Sequence, residues 1–201
     1  AVTKGMKKVI DDALDFSVKQ SMSMFNEMKD QKGILPRTAE NGKMITCESA
    51  WWTSGFYPGT LWYCYEYSND PQIRAAAEEM TSRVEKQKYT TSNHDVGFII
   101  NCSFGNGYRL THNETYRKVI ETAAKSLSTR FHPVTGCTRS WNSKKWQFSV
   151  IIDNMMNLEL LNVASSLTGD NTYYNMAKSH ADRTMINHFR PDGSSYHVVS
   201  Y

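Results

Sequence analysis

The chain has 201 residues, 40% of them hydrophobic and 12% aromatic, enough for one domain with a core and unlike a disordered composition. Its 23 basic and 20 acidic residues give a net charge of +3, too small and too dispersed to argue for nucleic acid, though compatible with an anionic ligand. The longest apolar runs, such as Val150–Ile152, are far too short to cross a membrane.

The chain opens Ala1-Val2-Thr3-Lys4, which lacks a signal-peptide pattern; a processed, exported protein would look the same, so both cytoplasm and periplasm are open. From Met6 to Met28, apolar residues at Val9, Ile10, Ala13, Leu14, Phe16, Val18 and Met22 follow a period near 3.6 and predict an amphipathic helix. Asp30–Thr46 reads as a long linker. Trp52–Ser68 is apolar nearly all round, with Gly and Ser, and reads as a helix buried on more than one face. Asp70-Pro71-Gln72-Ile73 then opens a different helix: an N-cap, an apolar residue three places on, and small residues at Ala75–Ala77.

The same pair recurs twice. Asp95–Thr111 is a second buried segment, followed by Asn113-Glu114-Thr115-Tyr116 with Ala123-Ala124; Asp153–Thr168 is a third, followed by Asp170-Asn171-Thr172-Tyr173 with Ala177 and Ala181. Trp52 precedes its cap Asp70 by 18 residues, Asp95 precedes Asn113 by 18 and Asp153 precedes Asp170 by 17, so the three occupy matched places in three repeats. The pattern predicts α-hairpins in an inner and an outer layer, with the inner N-termini on one face. Long linkers, the second being Phe131–Ser149, arrive at that face. A plain superhelical scaffold would share the repeat. Ser103-Phe104-Gly105-Asn106-Gly107, inside a helical segment, reads as close packing or a helix irregularity. Cys47, Cys64, Cys102 and Cys137 form no CxxC pair and no zinc spacing, and are expected to be free and mostly buried. The sequons at Asn101 and Asn113 are too short a signal to use.

Chemistry is expected at the inner N-termini. Asp153 lies between Val150-Ile151-Ile152 and Asn154-Met155-Met156, and a carboxyl in such a setting is expected to have a raised pKa, suited to giving and retaking a proton. Asp95, in Asn93-His94-Asp95-Val96-Gly97-Phe98, would converge on the same cavity mouth. The alternative for Asp153 is a helix-start residue stabilised by the helix dipole, and for Asp95 an N-cap supplied by Asn93 or by Asp95 itself. Trp52, with Trp51, Phe56 and Tyr57, and the linker residues Trp141 and Trp146, are candidates for stacking on a sugar ring; Trp62, Tyr63 and Phe98 read as core. His197 would return to the same rim after the last outer helix. No GxSxG, P-loop, GxGxxG after a strand or HExxH is present.

Four segments together resemble the unsaturated glucuronyl hydrolases, glycoside hydrolase family 88: residues 52–62 (WTSGFYPGTLW), 94–98 (HDVGF), 152–157 (IDNMMN) and 190–199 (RPDGSSYHVV). Their order and spacing fit across nearly the whole chain. The resemblance implies an all-α fold, an (α/α)6 toroid of helical hairpins of which residues 1–201 hold about half, as a single catalytic domain incomplete at its C-terminus. It implies a bacterial glycosidase that removes a 4-deoxy, C4=C5 uronyl residue from the non-reducing end of lyase-generated glycosaminoglycan oligosaccharides by hydrating the vinyl ether. It implies Asp153 as acid/base, Asp95 as the second carboxylate, and His94, Trp52 and His197 around the uronyl ring. It implies no metal or organic cofactor. An unsaturated rhamnogalacturonyl hydrolase of the same fold, or a non-catalytic sugar-binding scaffold, are the alternatives. A half ring is expected to leave inner-helix faces and one hairpin side bare, a large exposed apolar surface.

Overall fold

The computed structural model describes residues 3–201; of the opening Ala1-Val2-Thr3-Lys4, Ala1 and Val2 lie outside the described residues. Seven helices, two of them interrupted, form most of it. Helix α1 (Lys4–Met28) is capped by Thr3, whose hydroxyl accepts from Met6 N. Only its C-terminal part docks. Ser21 and Met28 are buried, and Tyr57 Oη donates to Ser21 O at 2.8 Å. Met6, Val9, Ile10, Leu14 and Phe16, the apolar stripe that marks the helix in sequence, stay exposed. Arg83 fixes the end of α1 by donating to the carbonyls of Lys29, Gln31 and Ile34 at 2.9, 2.9 and 3.0 Å, a cation among carbonyls that no helix bond satisfies.

The predicted linker 30–46 is not a loop. Strands β1 (Ile34–Glu40) and β2 (Lys43–Glu48) pair antiparallel, joined by Asn41-Gly42, both at positive φ as a two-residue hairpin turn requires. The pairing slips between Pro36 and Thr38, where the proline has no N–H to give the ladder. Leu35 enters the core from this hairpin.

Three helical hairpins follow. The inner helix α2 (Phe56–Ser68) turns at Asn69 into the outer α3 (Pro71–Ser82); α4 (96–111) turns at His112 into α5 (Glu114–Ser128); α6 (154–168) turns at Gly169 into α7 (Asn171–Asn187). Each turn residue is left-handed, and each outer helix opens on the cap predicted for it: Asp70, Asn113 and Asp170 accept from Gln72 N, Thr115 N and Thr172 N. The architecture is half of an (α/α)6 toroid, three of six hairpins. Helix α4 is α-helical over Val96–Ile100, π-helical over Asn101–Gly105 and α-helical again over Asn106–Thr111, the irregularity anticipated there.

Close glycine contacts bind the inner helices. A Cβ on Gly59 of α2 would meet Cys102 O at 2.7 Å, one on Gly55 would collide with Ile99 O, and one on Gly97 of α4 would meet Asn157 O at 2.5 Å. One core cluster joins α4 to α7, including Ile99, Ile100, Phe104, Ile120, Leu127, Leu160 and Leu161. A second joins α1, α2 and α3 around Trp62, whose Nε1 donates to Thr81 Oγ1 at 2.9 Å. Each such fully buried large side chain contributes ~1.5–3 kcal/mol. Tyr63 is the exception among the predicted core aromatics, at 59% exposure.

The half ring bares apolar surface in both places expected of it. Between the open faces of the inner helices lies a groove of about 820 Å³ in which Phe56, Tyr63, Tyr108, Val163 and Leu167 stand among Thr60, Asn101, Asn106, Glu159, Asn162 and Ser166. Further exposed apolar residues lie at the lateral ends, on α1 and, at Met185, Ile186 and Phe189, around the end of α7. The four cysteines are free, Cys64 and Cys137 buried and the other two half-buried. Among the described residues no helix is long and apolar enough to cross a membrane.

The second long linker is also structured. Strands β3 (Phe131–His132) and β4 (Cys137–Thr138) form a short hairpin, and β5 (Ser149–Ile151) pairs with β6 (Val198–Ser200). That last pairing sets the site. It draws the segment after α7 back to the N-terminus of α6, where Ile152 N donates to His197 O at 2.9 Å.

Candidate active site

Asp95 and Asp153 each stand at the residue before an inner helix, with nearly the same backbone (φ/ψ −65°/−11° and −70°/−10°). Neither side chain caps its helix. Of the two residues that could supply a cap before α4 it is Asn93 that does so, its Oδ1 accepting from Asp95 N at 3.0 Å. The carboxyls are free for other work, and the matched repeat positions bring them together. They are near enough that the Asp153 charge raises the Asp95 pKa. The seam between their helices is tight: Phe98 N donates to Asn157 Oδ1 at 2.7 Å directly across the Gly97 contact.

Burial dominates the electrostatics. It pushes Asp95 up to about 6, with the Asp153 charge adding to it. It also raises Asp153, opposed by nearby His197, and Asp153 Oδ1 is buried with no hydrogen-bond partner among the described residues. Burial lowers the imidazole of His94 to about 4, so this ring is neutral near pH 7. His94 was expected to line a sugar subsite, but its side chain is only 2% exposed because it packs beneath the rim. Its Nε2 lies 3.5 Å from Asp95 Oδ1, which places it behind the carboxyl, out of solvent.

A raised carboxyl pKa costs stability above the unfolded value. The folded protein then binds more protons than the unfolded chain, so stability falls as pH rises from about 4 to about 6, the interval of the Asp95 shift. Asp95→Asn is expected to be more stable than wild type at pH 7 by about 2 kcal/mol, the ~3 kcal/mol of the full shift reduced by solvent screening at a half-buried carboxyl, and equal to it below pH 4. Urea midpoints across that range check this; an equal midpoint for both proteins at pH 7 would show that Asp95 carries no such cost.

The remaining predicted residues fall around the pair in two groups. Trp52 is 43% exposed and packs against Phe56 and Phe98, ring centroids 5.7 and 6.1 Å away. Trp141 forms a bridge with Asn93, two residues before Asp95, and carries Trp146 beside it at 6.4 Å between centroids. His197 is exposed and near enough to Asp153 to lower its pKa. Sequence reasoning gave no role to Arg130, which organises the tryptophan linker by donating to Arg139 O, Thr91 O and Asn142 Oδ1. It also gave none to Asn154 and Asn157, both fully buried. Their only signal was polar residues at helix-interior spacing in an apolar segment. Among the described residues no group of three or more His, Cys, Asp or Glu could hold a metal ion. The arrangement offers two carboxyls biased toward holding protons, an imidazole at their edge and flat rings around them, a setting for proton transfer on a sugar.

The chain is 46% identical over 153 residues to the unsaturated glucuronyl hydrolase of Formosa agariphila, covering 75% of this chain and 38% of that protein. It is 32% identical over 198 residues to the unsaturated chondroitin disaccharide hydrolase of Streptococcus pyogenes serotype M1, covering 96% of this chain and 49% of that one. The crystal structure of an unsaturated glucuronyl hydrolase specific for heparin superposes with a TM-score of 0.87 at 42% identity, over 95% of this chain and 52% of that chain. The chain thus spans about half the length of these relatives or less. No protein-family model matches it.

Proposed function

The chain is related in sequence and fold to the unsaturated glucuronyl hydrolases over about half of their length, and on that premise we propose that it carries the acid/base half of an enzyme that hydrates C4=C5 uronyl residues. The substrates are the unsaturated oligosaccharides that lyases leave from glycosaminoglycans, removed at the non-reducing end. The observation that carries the reading is the half-buried carboxyl pair at matched inner-helix starts, with both pKa values raised.

In this reading Asp153 moves the proton. Its carboxyl gives a proton to C4 while water adds to C5, and the resulting carboxylate takes the proton released by that water. The C5 hemiketal opens to a ketone, the ring breaks, and the hemiacetal left at C1 releases the next sugar. One water is consumed and Asp153 ends as it began. Binding a uronate adds a negative charge and excludes water beside Asp153, and both raise its pKa further, so the proton is taken up on binding. Asp95 holds a sugar hydroxyl. Trp52, Trp141 and Trp146 offer ring faces to the sugars.

His197, exposed beside Asp153, faces the uronate carboxylate. His197→Ala is expected to raise KM about tenfold, the ~1.4 kcal/mol of one hydrogen bond to a charged group, with a smaller change in kcat. A lowered kcat at unchanged KM would move His197 from binding to chemistry. The proposal itself is tested by the ultraviolet absorbance of the C4=C5 bond in unsaturated glucuronyl disaccharides, with this chain and with any longer polypeptide that contains it. Loss of absorbance supports the reading. No loss with either, on glycosaminoglycan and pectin lyase products alike, sinks it.

A further inference from the structure

The β1–β2 hairpin holds a cation for which the acid/base reading has no use. Most arginines of the chain are committed: Arg74, Arg83, Arg109 and Arg117 pair with glutamates, and Arg130 and Arg190 donate to carbonyls. Arg37 is held differently. Pro36 faces Thr46 and Thr38 faces Ile45, so the ladder slips at Arg37 and leaves it opposite no partner. A bulge of this kind re-aims the side chain it carries. The guanidinium lies over the ring of Trp51, its central carbon 4.0 Å from the centroid. Both residues are exposed, and among the described residues Arg37 pairs with no carboxylate. A guanidinium stacked by one face on an indole keeps its N–H donors at its edge, and the stack fixes their direction before a ligand arrives. Such a fork matches the oxygens of an oxyanion.

The place of this cation suggests what it takes. Gly59 of α2 meets Cys102 of α4, and Gly97 of α4 meets Asn157 of α6, so α4 lies between the other two and Trp52, Asp95 and Asp153 follow one another along the rim in that order. His197 stands at the Asp153 end, where its carbonyl accepts from Ile152 N. Trp51 and Arg37 stand at the Trp52 end. A groove of about 660 Å³ runs there between the hairpin, α1 and α2, lined by Arg37, Thr38, Thr53, Phe56 and Thr60, and Phe56 is one of the rings packed against Trp52. Glu27 of α1 is the acidic residue of that lining and makes no ion pair with Arg37 among the described residues. Packed helices lie roughly 8–10 Å apart, so two spacings along the row leave room for more than one sugar. With the uronate at the His197 end, the sugars that follow it run toward Arg37. We infer that Arg37, braced on Trp51, is a specificity residue that takes an oxyanion of the sugars beyond the uronyl ring, either a sulfate ester or the carboxylate of a second uronic acid. The inference rests on the hydrolase reading, which sets the uronyl ring at Asp153.

Dissociation constants decide it, measured by calorimetry on wild type, Arg37→Gln and Arg37→Lys with three probes: an unsulfated unsaturated glucuronyl disaccharide, the unsulfated tetrasaccharide and a sulfated tetrasaccharide. Wild type is expected to gain about tenfold in affinity on lengthening or on sulfation, the effect of one hydrogen bond to a charged group. Arg37→Gln should lose that gain, and Arg37→Lys, which keeps the charge without the fork, should recover part of it. The disaccharide should bind all three proteins alike, which shows the variants folded and the uronyl end intact. Loss of the gain from lengthening assigns Arg37 to the carboxylate; loss of the gain from sulfation assigns it to the sulfate. A gain that survives Arg37→Gln, or that wild type never shows, overturns the inference, as does an equal loss for all three probes, which would make Arg37 a structural residue. Binding needs no turnover, so a failure of vinyl-ether hydration is seen separately, in the absorbance assay.

Discussion

Asp153→Asn is expected to abolish C4=C5 hydration while leaving the fold intact. The amide has nearly the shape of the carboxyl but cannot give a proton to C4 or take one from water, and loss of a positioned acid/base group lowers rate by roughly 10²–10⁴-fold. The fold has no stake in the charge. The side chain caps nothing, one oxygen is buried without a partner among the described residues, and burial already disfavours the ionised form. Circular dichroism and thermal melting should therefore match or slightly exceed wild type while the absorbance assay shows no turnover. Retained turnover in a folded Asp153→Asn protein would transfer the proton chemistry to Asp95. Retained binding and unchanged inactivity in both proteins would favour a sugar-binding scaffold instead.

That Asp153 could be singled out at all rests on features local in sequence. Asp70, Asn113 and Asp170 announce their helices because capping is a contact within three residues. Counting back from those caps aligns Trp52, Asp95 and Asp153, and the structure keeps that register for Asp95 and Asp153, each directly before its inner helix, whereas the first inner helix starts later, at Phe56, and leaves Trp52 in the turn ahead of it. What was not legible is non-local or carries no periodicity. The Ile34–Glu48 hairpin had its Asn41-Gly42 turn signal, but its strands alternate poorly and bury only Leu35. The pairing of Ser149–Ile151 with Val198–Ser200 joins segments some 50 residues apart and depends on α6 and α7 bringing them together. The burial of His94 follows from that same linker packing, with Ser140 O accepting from His94 N at 2.9 Å. The stripe on α1 is helical, as its period predicts, yet periodicity cannot say whether a partner face is present, and here most of it faces outward.

Gly97→Ala should damage both the fold and the site, through the seam between α4 and α6. The added Cβ would lie 2.5 Å from Asn157 O and 2.6 Å from both Asn157 Cα and Oδ1, and two of those three atoms are backbone, which no rotamer change moves aside. Something must shift, and the seam has little slack: Phe98 N is bonded to Asn157 Oδ1 at 2.7 Å, and Val96, Ile99, Ile100, Leu160 and Leu161 fill the space around it. Overpacking of this kind costs about 1–3 kcal/mol, with the loss of the buried bond adding about 1–3 more. The expected total, on the order of 3 kcal/mol, exceeds the opposing gain of a few tenths to 1 kcal/mol that replacing glycine gives by restricting the unfolded chain. The same displacement separates the starts of α4 and α6, which hold Asp95 and Asp153. The Asp95 carboxyl should then titrate lower, because the neighbouring charge recedes and water enters. A urea midpoint and a carboxyl titration on one sample therefore report the two consequences together. A destabilised variant with an unmoved Asp95 midpoint would mean that the helices part elsewhere along their length, and that Gly97 serves the core without setting the spacing of the pair.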